Sequence, residues 1–124
     1  MSDAPARPVG PYSPVVRAGD WIIVSGQIGL RDGALVEGGL GPELVAALAN
    51  LVGQLASVGA RLDQVAKTTV FLTDMADYAA MNEAYVAALG DHRPARSAVA
   101  VSGLPLGATV EIEAWAHVPE EADG

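Results

Sequence analysis

Two rhythms of hydrophobic and polar positions alternate along this chain. Residues 12–17 and 21–28 are rich in β-branched and aromatic side chains and read as strands. In the second of these, Trp21, Ile23, Ser25 and Gln27 fall on one face by alternation, and Ile22, Val24, Gly26 and Ile28 on the other. Ala18-Gly19-Asp20 reads as a turn between them. Asp32-Gly33 signals a hairpin and predicts a short third strand over 34–37. The period then changes. Leu44, Leu48, Leu51 and Leu55 are spaced as one face of a helix, with Pro42 suited to its first position, Glu43 complementing its dipole and Gly59 closing it. Residues 65–73 return to strand character. Asp74 or Asp77 then caps a second helix that runs to Leu89, with Tyr78, Met81, Tyr85 and Leu89 as its buried stripe. Residues 95–101 and 109–118 read as the last two strands.

The order β-β-β-α-β-α-β-β predicts one α+β domain spanning residues 1–124, with residues 1–11 as an N-terminal arm and 119–124 as a frayed tail. One mixed β-sheet with both helices on one face leaves its other face uncovered. On the last strand, Val110, Ile112, Ala114 and Ala116 are the natural helix-facing set. Glu111, Glu113 and Trp115 then point away, and His117 alternates onto their face. That polar but aromatic surface is expected to meet another subunit or to line a pocket.

Composition narrows the picture. With 51% hydrophobic residues in 124, part of the apolar surface is expected to be covered by a second copy of the chain. The net charge of −8, with the basic residues scattered, opposes nucleic acid and anionic membranes as partners. The absence of cysteine rules out disulfides and thiolate catalysis and fits a cytoplasmic location. The first eleven residues lack the apolar run of a signal peptide, and the longest apolar segment, residues 44–55, is too short to span a bilayer.

Few residues remain for chemistry. Arg96 shares a strand face with Ala98 and Ala100, which leaves room for a small ligand beside a guanidinium fork that suits carboxylates. It is equally suited to a structural ion pair with Glu111, Glu113 or another acid. Glu111 lies in an apolar strand, where it could hold or deprotonate a water or balance Arg96. Burial would raise its pKa and a neighbouring arginine would lower it. Tyr12, after Gly10-Pro11, either offers its hydroxyl to a ligand or plugs a strand start. Asn82 reads as a solvated helix residue. Gly26 implies either close backbone approach to a ligand or a bulge. Gly38, Gly39 and Gly41 precede a helix, but their spacing fits neither a P-loop nor a dinucleotide fingerprint. His92 and His117 lack the spacing of a zinc site. No metal and no cofactor are expected.

Five segments, in order, carry a resemblance to the RidA/YjgF family of reactive-intermediate (enamine/imine) deaminases. They are Gly10-Pro11-Tyr12-Ser13, Val24-Ser25-Gly26-Gln27-Ile28, Lys67-Thr68-Thr69-Val70-Phe71-Leu72, Asn82-Glu83-Ala84-Tyr85, and Pro94-Ala95-Arg96-Ser97-Ala98-Val99 taken with Val110-Glu111-Ile112-Glu113-Ala114. The resemblance implies a chorismate mutase-like fold that assembles as a homotrimeric barrel, with a pocket at each subunit interface. It implies hydrolysis of 2-imino or enamine acids, such as 2-aminoacrylate, to 2-oxo acids and ammonia. Arg96 matches the family's carboxylate-binding arginine and Glu111 its water-positioning glutamate. Tyr12 and Asn82 match pocket residues supplied by the neighbouring chain, and Gly26 and Ala98 match positions that touch ligand through the backbone. Many members carry cysteine where this chain has Ala98, so a thiol-based role is not implied here. The family also implies that strand 65–73 lies between those of Arg96 and Glu111. Rival expectations are a non-catalytic small-carboxylate sensor, an endoribonuclease and a pathway-specific deaminase.

Overall fold

The computed structural model describes residues 10–120, so most of the expected arm and tail lies outside the described residues. Seven strands and two α-helices follow one another as β1 (Val15–Ala18), β2 (Trp21–Gln27), β3 (Leu30–Arg31), β4 (Ala34–Leu35), α1 (Leu40–Ser57), β5 (Val65–Leu72), α2 (Tyr78–Leu89), β6 (Ala95–Ala100) and β7 (Val110–His117). Five of the strands form one sheet in the order β1-β2-β7-β5-β6. Only the β5–β6 pairing is parallel, so the sheet is mixed as expected, and β5 separates β6 from β7.

Alternation sorts the sheet into a buried and an uncovered face. Val110, Ile112, Ala114 and Ala116 of β7 are fully buried, and they align with Leu72, Val70 and Thr68 on β5 and with Ile22 and Val24 on β2. Leu44, Leu51 and Leu55 of α1 and Met81 and Tyr85 of α2 pack onto this layer as a single core. Burying each such large aliphatic side chain is worth roughly 1.5–3 kcal/mol. The other face carries Glu111, Glu113, Phe71 and Lys67, with Trp115 and His117 exposed. Trp21 meets Trp115 edge-on at 6.1 Å and His117 at 5.0 Å between ring centroids.

Several expectations are corrected. The first strand starts at Val15 rather than residue 12, because the segment before it is tied down by its carbonyls. The Ser25 N–H donates to Pro14 O at 2.9 Å and the Ser25 hydroxyl to Ser13 O at 2.8 Å. The predicted third strand is half of a separate hairpin, β3–β4, outside the main sheet. Its turn is Asp32-Gly33, both with positive φ of 54° and 82°, the combination a two-residue hairpin turn demands. Helix α1 begins at Leu40, two residues before Pro42. Past its end, the N–H groups of Gly59 and Ala60 return to Ala56 O and Leu55 O. Asp74 caps a 3₁₀ turn (Met75–Asp77) that leads into α2, accepting from the Ala76 N–H at 2.9 Å. Within the α2 stripe, Met81, Tyr85 and Leu89 are buried but Tyr78 is exposed. Among the described residues, no helix is long and apolar enough to cross a membrane.

Candidate active site

Arg96 stands on β6, the edge strand, level with Thr68 of β5 and therefore on the helix-covered side. Its guanidinium lies against α2. Nη2 donates to the Tyr78 hydroxyl at 3.1 Å and Nη1 to the Met81 sulfur at 3.6 Å. The cation sits 4.9 Å from the Tyr85 ring centroid and 5.6 Å from that of Tyr78. Tyr85 is a fixed platform, because it is buried and its hydroxyl shares a 2.8 Å hydrogen bond with Thr68 Oγ1. The ion pair considered from sequence does not form. Among the described residues the sole salt bridge is Arg61–Asp63. Two of the five guanidinium N–H donors are engaged, both by neutral atoms, which leaves a cationic fork able to take a carboxylate.

Glu111 occupies the other side of the sheet. It aligns with Phe71 of β5, which in turn aligns with Val99 of β6, a row on the uncovered face. Its carboxylate lies over Gly26 of β2. A Cβ at position 26 would stand 2.4 Å from Glu111 Oε2 and 2.6 Å from Cδ, so no side chain other than hydrogen fits there without displacing the acid. The bulge considered for this segment is present. Ser25 and Gly26 together oppose the single β7 step between Ile112 and Ala114. The extra residue reverses alternation, so Gln27 is buried opposite Ile112 rather than sharing a face with Trp21 and Ile23. Burial pushes the Glu111 carboxyl above the ordinary glutamate range, and the like charge of Glu113 on the same face pushes it further. Arg96 is not among the causes, in keeping with its place on the opposite side.

One protomer therefore holds two half-sites. The backbones of β6 and β7 are two strand spacings apart, about 9–10 Å, and the two side chains leave the sheet in opposite directions. Ala98 follows Arg96 on the same side of β6 and is half-buried against the core. Asn82 is also half-buried. Its spacing from Tyr78 and Tyr85 sets it on the same face of α2 as those two residues. Tyr12 is 44% exposed, with its N–H turned back to Gly10 O at 2.9 Å, and touches neither half-site. Tyr78 was assigned to the core by spacing and instead meets the arginine; its place as the first residue of α2, where a stripe can overrun the packed layer, was the available signal. Glu43 is buried and accepts the Thr109 N–H at 2.8 Å, a structural task. His92 Nε2 lies 2.8 Å from Val65 O. A shallow groove of about 690 Å³ between the β3–β4 hairpin and the start of α1, lined by Arg31, Leu35, Pro42 and Val45, includes none of the predicted residues.

Comparison with known proteins bears on this arrangement. A family model described as endoribonuclease L-PSP matches residues 1–118. A mouse protein named 2-iminobutanoate/2-iminopropanoate deaminase is 45% identical over 115 residues, 91% of this chain and 84% of the mouse one. A RutC family protein of Pyrococcus horikoshii is 41% identical over 113 residues, 90% of each chain. The crystal structure of RidA from an Antarctic Psychrobacter species superimposes with a TM-score of 0.87 at 38% identity, covering 95% of this chain and 97% of that one.

Proposed function

This chain belongs to the RidA/YjgF family, and from that premise we propose that it hydrolyses reactive 2-imino and enamine acids to 2-oxo acids. In the reaction a protonated imine and one water give a carbonyl and an ammonium ion. The imine carbon is already strongly electrophilic, so the protein need only hold the substrate and aim the water. Proximity and orientation supply the acceleration. Arg96 holds the carboxylate. Glu111, as a carboxylate, accepts a hydrogen bond from the water and takes its proton as the C–O bond forms. The tetrahedral carbinolamine then takes that proton from Glu111 on its nitrogen, the C–N bond breaks, and the carbinol O–H proton passes to the departing ammonia, which leaves as ammonium. A glutamate whose pKa is raised by burial is a stronger base for this step once ionised.

The observation that carries the proposal is the uncompensated Arg96 cation, held by neutral partners with donors to spare. The mouse relative's name supplies the substrate class. Because the two half-sites face opposite sides of one sheet, the working site needs assembly. We take it to be a homotrimer, in which the uncovered face is buried and the free edge of β6 adjoins a neighbouring chain. Arg96 stays held against α2, so in this reading the Glu111-bound water that attacks the ligand is supplied across the subunit interface; Tyr12, which precedes β1 at the opposite edge of the sheet, is exposed and available to a neighbour. The net charge of −8 is why we favour a small carboxylate over RNA, despite the family description.

A coupled assay tests this. Serine or threonine dehydratase releases the imine, and semicarbazide traps whatever survives. Wild type should suppress semicarbazone formation and Arg96→Ala should not. A wild type that behaves as a blank would refute the activity. The separation of Arg96 from Glu111 within one protomer favours one rival, a non-catalytic carboxylate sensor. Under that reading Glu111→Gln keeps ligand binding and there is no turnover to lose.

A further inference from the structure

The Tyr78 hydroxyl accepts from Arg96 Nη2 at 3.1 Å, and that uses only one of its lone pairs. Its own O–H proton has no acceptor among the described residues, whereas the Tyr85 hydroxyl is shared with Thr68. Tyr78 is 39% exposed and stands at the first turn of α2, so the residue beside the guanidinium is open to a ligand. A phenol that accepts from a cation is polarised and becomes a stronger donor. An anion settling on Arg96 thus meets a second donor whose oxygen already stands 3.1 Å from the fork.

We propose that Tyr78 is a second carboxylate anchor and a specificity-determining residue, its O–H donating to one carboxylate oxygen while Arg96 holds the pair. The assignment rests on the proposed role of Arg96 and extends it to a residue for which core packing was the expectation. Tyr85 and Met81 fix the position of the guanidinium; Tyr78 adds a contact that only a ligand acceptor can use. The contact favours carboxylates over neutral carbonyl compounds, because a hydrogen bond to a charged oxygen is about twice as strong as one to a neutral oxygen.

Calorimetric titration of the full-length protein with pyruvate, and with pyruvamide as its neutral counterpart, tests this without relying on turnover. Tyr78→Phe keeps the ring and removes one exposed hydroxyl, so the fold is retained. Pyruvate binding should weaken about tenfold, the loss expected for one hydrogen bond to a charged group. Pyruvamide binding should be unchanged. In the coupled assay KM should rise by a similar factor with kcat little altered. In an Arg96→Ala background the Tyr78→Phe change should have no further effect, because the two act on one group. Pyruvate affinity that is unchanged or improved in Tyr78→Phe would overturn the assignment, as would an equal loss for pyruvamide or no pyruvate binding by wild type. A wild type that binds pyruvate in a Tyr78-dependent way but hydrolyses no imine would instead sink the deaminase activity and leave the Tyr78 assignment standing.

Discussion

Replacing Gly26 by alanine isolates the Glu111 half-site from the rest of the molecule. The added Cβ would stand 2.4 Å from Oε2 and 2.6 Å from Cδ, while ordinary contact begins near 3.4 Å. The obstructing atoms are the far end of a flexible side chain, so the carboxylate withdraws by about 1 Å and the strands stay in place. Gly26 is not in the positive-φ region, so alanine fits its backbone, and within a strand the change is worth roughly 0.5–1 kcal/mol in alanine's favour. The fold should therefore survive with little change in melting temperature. Catalysis should not, since a 1 Å misplacement of a reacting group costs about 10²-fold. In the semicarbazide-coupled assay kcat should fall by about that factor. Pyruvate affinity should hold, because Arg96 lies on the other side of the sheet. A Gly26→Ala/Glu111→Gln double variant should be no slower than Glu111→Gln alone. Wild-type kcat in folded Gly26→Ala would refute the placement of Glu111 in the chemistry.

Glu111 acts as a carboxylate, so kcat should rise as pH increases through its raised pKa; Glu113→Gln removes the lesser cause and should move this limb toward lower pH, and a pH–rate profile that does not move would contradict the coupling. Folding raises the Glu111 pKa, so its contribution to stability is fully present below the unfolded-state value and is lost as pH rises through the folded one. Glu111→Gln should accordingly melt higher than wild type at neutral pH, with the gap closing on acidification; a pH-independent gap would argue otherwise. Tyr85→Phe strands the buried Thr68 hydroxyl and should cost about 1–3 kcal/mol in urea unfolding, while an unperturbed midpoint would mean that the pair is not buried as described. Leu51→Ala, in the centre of the core, should cost about 2–5 kcal/mol in the same measurement.

Much of the architecture was legible because it is written in periodicity. The Leu44–Leu48–Leu51–Leu55 stripe, the alternation of Val110, Ile112, Ala114 and Ala116, and the Asp32-Gly33 turn each translate directly into an element or a face. What periodicity does not carry is register between elements distant in sequence. The parity of β6 groups Arg96 with Ala98, and that of β7 groups Glu111 with Glu113, but whether those faces coincide depends on how β5 pairs with both. The structure sets them on opposite sides, which explains why no ion pair forms and why burial and then a like charge, with no opposing cation, govern Glu111. Strict alternation also misplaced Gln27, since a bulge inserts one residue and reverses every face after it. From sequence, Glu43 complements the dipole of α1. Its burial against the Thr109 N–H is a long-range contact with no local signature. Tyr78 matched its stripe in spacing and differs only in standing at the helix start.

A crystal structure of the assembled protein soaked with pyruvate would decide whether Arg96 and Glu111 serve one ligand. The carboxylate should bridge the Arg96 guanidinium and the Tyr78 hydroxyl, with a water on a Glu111 carboxylate within reach of the ligand's carbonyl carbon. Pyruvate bound away from Arg96, or an acid of a neighbouring chain already seated on that guanidinium, would contradict it.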